Sequence, residues 1–75
     1  MDKNQPEMNT HDRLMRAWEN SMEMVRDFEM YSKRVEEDDI REMFKEFAED
    51  EGIHASKLRE ALNEYTRNNK HNNEI

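Results

Sequence analysis

The sequence predicts an all-α protein built as an antiparallel two-helix hairpin, and three observations carry that prediction. One glycine and one proline are the only strong breakers in 75 residues, and Pro6 falls in a polar N-terminal stretch. Apolar residues recur at the three-and-four spacing of a helix face in two separate runs. Between the runs, Glu36-Glu37-Asp38-Asp39 resets the period, as a polar turn does.

The first run predicts a helix over about residues 10–36. Leu14, Ala17, Trp18, Ser21, Met24, Val25, Phe28, Tyr31, Ser32 and Val35 share one face, an arc of roughly 140° at ~100° per residue. Thr10 is a candidate N-cap, because its hydroxyl accepts a backbone N–H that has no helical partner. Glu29 precedes Lys33 by one turn on the polar side, a favourable pairing.

The second run predicts a helix over about residues 38–67. Ile40, Met43, Phe44, Phe47, Glu51, His54, Leu58, Ala61, Leu62 and Tyr65 fall in a narrower arc, about 100° wide. Asp38 or Asp39 suits the cap, and the acidic cluster suits the positive end of the helix dipole. Fraying is expected in Arg67-Asn68-Asn69-Lys70, where asparagine replaces apolar residues. The implied organisation is a disordered tail over 1–9, a hairpin over 10–68 and a second tail over 69–75.

Helices of this length reach about 40 Å, and so short a link makes them pack antiparallel. Two helices cover only one side of each other's apolar stripe, so Trp18, Phe28, Phe44 and Phe47 stay partly wet. A chain this short sits near the lower limit for an independent core. The expectation is a homodimer closing into a four-helix bundle, with a larger ring or cage of such dimers as the alternative.

Composition narrows the function. The chain is 33% hydrophobic and 41% charged, and it has no cysteine, which excludes disulfides, thiolate metal sites and cysteine nucleophiles. A net charge of −7 argues against nucleic acid, which needs a basic surface to neutralise phosphates. No run approaches the roughly 18 apolar residues of a membrane span. MDKNQPEMNT has no apolar segment of the secretory kind, and a cysteine-free chain fits a cytoplasmic location.

The informative residues are Glu51 and His54, which lie inside the apolar arc of the second helix. A carboxylate at a core position costs several kcal/mol unless it is paired, protonated or metal-bound. Glu-x-x-His puts both side chains on one face a turn apart, where they can share a metal ion. Two such motifs converging in a dimer would offer two carboxylates and two imidazoles, a set suited to iron, manganese or zinc. The competing reading is a polar layer that fixes bundle register, with the pair bonded to each other or to Tyr31 or Ser21.

Gly52 stands between the two candidate ligands and faces away from the apolar arc. In mid-helix it costs about 1 kcal/mol against alanine. It reads as a neutral surface choice, as a site of π-type distortion that aims the ligands, or as a break in the helix. The seven methionines read either as partly buried stripe edges, with Met15, Met22 and Met30 bordering helix 1, or as a soft docking surface.

The stretch from Ile40 to Leu62, with Phe44, Ala48, Glu51, His54, Ala55, Leu58 and Leu62 in place, resembles the metal-binding helix of rubrerythrin-like members of the ferritin-like superfamily. The Phe28–Tyr31–Val35 segment is similar to the end of that family's first helix, so the resemblance covers about residues 14 to 65. It implies a four-helix bundle that binds a pair of iron ions, with oxidase, peroxidase or iron-storage activity. It also implies that Glu51 and His54 are the second-helix metal ligands and that a hairpin completes its site by dimerising. The carboxylate implied on the first helix has no counterpart: the facing positions are Ser21 and Met24, while Glu19 and Glu23 point elsewhere. Two functions follow as expectations. One is metal binding, including Fe(II) oxidation, through an E-x-x-H site completed by dimerisation. The other is a non-catalytic helical oligomerisation module with a degenerate metal site.

Overall fold

A computed structural model describes residues 9–73. It contains two helices, α1 at Thr10–Arg34 and α2 at Asp38–Asn73, packed antiparallel as so short a link predicts. The expected tails lie outside the described residues, apart from Asn9 and the stretch 69–73, which continues α2 beyond its expected end near residue 67. Asparagine is only mildly unfavourable inside a helix, and neither glycine nor proline follows Gly52. Among the described residues no helix is long and apolar enough to cross a membrane.

The caps differ by a residue or two from the expected ones. Asn9, rather than Thr10, caps α1: its side-chain oxygen accepts from the Asp12 N–H at 2.8 Å. Both residue types cap well, and asparagine ranks slightly higher. α1 stops where Val35 turns extended, with the Val35 N–H still donating to the Tyr31 carbonyl. Lys33 and Arg34 in its last turn suit the negative end of the dipole. Asp38 and Asp39 sit inside the first turn of α2. The turn is tied by Arg41, whose guanidinium donates to Asp38 Oδ1 at 2.8 Å and to the carbonyls of Glu36 and Val35 at 3.2 and 3.4 Å.

The hairpin is one layer thick. Its extents are 56 × 30 × 12 Å, and the shortest matches a single helix with its side chains. The Cα radius of gyration is 17.0 Å, against about 11 Å for a compact domain of this length.

Both helices present a seam at alternating four- and three-residue steps: Leu14, Trp18, Ser21, Val25, Phe28 and Ser32 on α1, with Val35 just past its end, and Phe44, Ala48, Glu51, Ala55, Leu58, Leu62 and Tyr65 on α2. Every one of these is buried or half-buried. Such a spacing is the heptad signature of helices wound around each other. The most buried members are small: Ser32, Ala48 and Ala55, together with Leu62, are 4 to 6% exposed. Small side chains let the helix backbones approach closely. The Ser32 hydroxyl is satisfied within its own helix, donating to the Glu29 carbonyl at 2.7 Å. Ala48 and Ala55 lie outside the arc expected for α2, which is centred on the larger aromatic residues. α2 therefore packs on α1 along the edge of that arc and leaves its bulky part open.

Candidate metal centre

Four aromatic rings define the open side of the hairpin. Phe28 stacks on Phe44 at 5.9 Å and meets Phe47 edge-on at 5.4 Å, while Tyr31 meets Phe44 at 5.4 Å. Tyr31 is nevertheless 45% exposed, Phe47 39% and Met24 37%. Ala17, Met24 and Tyr31 on α1, and Phe47, His54 and Ala61 on α2, each precede a seam residue by one. In an antiparallel pair, positions of this kind fall on the same side of the seam. The other side is more polar: Glu29, Lys33, Lys45, Glu49 and Gly52 share a shallow groove there, and the Arg59 guanidinium lies over the Trp18 ring at 5.0 Å.

Glu51 and His54 occupy the middle of the aromatic side. The heptad makes Glu51 a seam residue and places His54 beside the seam, one turn on. His54 Nδ1 stands 3.6 Å from Glu51 Oε2. That is the separation of a loose ion pair, and it is close to the roughly 3.4 Å between two ligands bound at about 2.1 Å with a tetrahedral angle between them. The glutamate side chain is 25% exposed and the histidine 61%, so both remain reachable from the open side.

Gly52 lies between them but faces the polar groove. A Cβ added to it would meet nothing within 4 Å, and α2 is regular α-helix through this position. It neither breaks nor distorts the helix that carries Glu51 and His54.

The first helix brings no third ligand. Trp18 is level with Arg59 and Tyr31 with Phe44, which places Ser21 level with His54, and Met24 and Val25 level with Glu51. Glu19 and Glu23 are exposed and lie away from the seam. Among the described residues, no three histidine, cysteine or acidic side chains gather closely enough to hold an ion. Glu51 and His54 are thus the two candidate ligands that one chain brings together.

Sequence reasoning found both candidate ligands but missed Arg41 at the turn and Arg59 over Trp18. The Arg41 contacts carry a weak local signal, an arginine three residues after Asp38. The Arg59 contact crosses between helices and becomes visible only once their register is known.

A single-layer helical hairpin with Glu-x-x-His on the open face of its second helix has the form of a ferritin-like helix pair. The rubrerythrin family profile matches residues 7–74, nearly the whole chain, and the protein belongs to the rubrerythrin family. No curated protein and no solved structure matches it.

Proposed function

We propose that this chain is a metal-binding half-bundle whose site is completed when two copies close through their aromatic sides. The observation that carries the reading is the position of Glu51: a carboxylate in the seam, 3.6 Å from His54, on the one side of the hairpin that exposes aromatic rings. A two-fold axis near this level brings together two carboxylates and two imidazoles. That donor set suits iron, and it suits manganese or zinc as well. Iron is the metal that family membership favours, and one-electron oxidation of bound Fe(II) to Fe(III), with dioxygen as the oxidant, is the activity that would accompany it. In the free chain the residues' part is to pre-space the carboxylate and the imidazole, and in the dimer the rings around them would exclude water.

The test is elemental analysis after anaerobic Fe(II) loading and desalting, with Glu51→Ala/His54→Ala treated in parallel. Iron retained by the wild type and lost from the double variant supports the site. Iron washing out equally from both sinks it.

One observation favours a second reading, a non-catalytic oligomerisation module in which the polar pair fixes register. The aromatic cluster of Phe28, Tyr31, Phe44 and Phe47 is complete without any metal, and it gives two copies a reason to associate by itself. Under that reading the dimer forms equally well in the presence of a chelator and the double variant dimerises normally.

A further inference from the structure

We infer that the completed site takes one divalent ion per dimer rather than two, and that Ser21 is the residue that sets this number. The inference rests on the metal-binding reading above. Bundles that hold two carboxylate-bridged ions use four carboxylates and two histidines, with one glutamate from each of two helices and a Glu-x-x-His motif from each of the other two. In a dimer of this hairpin, α1 would have to supply the single glutamates. The α1 residues level with the Glu51–His54 pair are Ser21, Met24 and Val25. Ser21, 9% exposed, is a seam residue on the aromatic side, where its short side chain brings no charge. The α1 acids nearest in sequence, Glu19 and Glu23, are exposed and face away from the seam.

Charge decides between one ion and two. Two Glu51 carboxylates balance a single divalent cation, and the layer between the aromatic clusters is then neutral. Two divalent cations would leave two positive charges uncompensated between apolar surfaces, where an unbalanced charge is strongly disfavoured. The same balance gives the site its chemical class. It coordinates a single ion and lacks the paired metals that two-electron chemistry on a dinuclear centre needs.

The test is native mass spectrometry of the dimer titrated anaerobically with Fe(II), for the wild type, Ser21→Glu, Met24→Glu and Glu51→Ala/His54→Ala. One ion per two wild-type chains, absent from the double variant, is the expected result. Two ions per wild-type dimer would overturn the inference while leaving the metal-binding reading intact. No bound ion in any form would overturn both. Ser21→Glu is expected to raise the count from one to two, with helicity checked by circular dichroism. Met24→Glu stands in where a glutamate in the seam prevents folding, because Met24 is on the open side with room for the longer carboxylate. A count that stays at one in both folded variants would remove Ser21 and its neighbouring turn from the role assigned to them.

Discussion

Phe47→Ala tests whether the aromatic side closes a dimer. Phe47 is 39% exposed in the hairpin, and a phenylalanine presents about 200 Å², so about 80 Å² of ring remains for a partner to cover. A symmetric dimer buries it twice, about 160 Å² in all, worth about 4 kcal/mol at 25 cal/mol per Å². Alanine would still bury part of that area, so the expected loss is about 2 to 4 kcal/mol, which weakens the dimer by about 30- to 1,000-fold. Sedimentation equilibrium over a range of concentrations reads the change directly. Met30→Ala is the control: Met30 is 47% exposed but lies on the outer surface of α1, opposite the seam. A dimer constant that moves less than threefold in Phe47→Ala, or that moves equally in Met30→Ala, refutes closure through this face.

The remaining predictions concern single positions. Glu51→Leu/His54→Leu is expected to abolish metal retention and strengthen the metal-free dimer by about 1 to 4 kcal/mol, since replacing a buried polar pair with apolar groups is often stabilising. Chemical denaturation with and without chelator measures it, and a weaker metal-free dimer contradicts the prediction. Gly52→Ala is expected to raise hairpin stability by about 1 kcal/mol with metal stoichiometry unchanged, because nothing lies within 4 Å of the added methyl. A lower melting temperature would mean that Gly52 has a role its open surroundings do not reveal. Asn9→Ala removes the acceptor of the Asp12 N–H and is expected to lower stability by about 1 kcal/mol, read from the thermal midpoint.

The hairpin was legible because helix periodicity and breaker placement are local properties, and Glu36-Glu37-Asp38-Asp39 marks the turn without reference to anything distant. The packing surface was less legible. Ala48 and Ala55 bear most directly on how close the helices come, yet alanine contributes little to an apolar pattern dominated by Phe44, Phe47 and Leu58. The expected arc was therefore drawn toward the large side chains. In a two-helix layer the large side chains beside the seam, such as Met43 and Phe47, are left half-covered, while the closest contacts fall on Ser32, Ala48, Ala55 and Leu62. The offset between seam and arc is the reason that Met24, Tyr31 and Phe47 stay exposed in the hairpin.

Glu51 and His54 stood out in the sequence because two polar residues occupied apolar positions, a conflict between composition and pattern that local reasoning detects. The missing partner ligand was legible for the same reason in reverse. Ser21 and Met24 fill the α1 positions where an acid would be needed, and the Trp18–Arg59 and Tyr31–Phe44 contacts put them at the level of the pair. What the sequence alone could not supply was the side of the hairpin to which the pair belongs. That depends on the seam, and the seam depends on Ser32, Ala48 and Ala55. Once the small residues are placed against the other helix, Glu51 turns toward the open aromatic side together with His54. A register device buried within one hairpin would need its partners on α1, and at that level α1 offers Met24 and Val25 to Glu51 and only the short Ser21 to His54. Within one hairpin Glu51 and His54 face each other at 3.6 Å, and under the proposed reading their further partners are a metal ion and the same pair of a second copy.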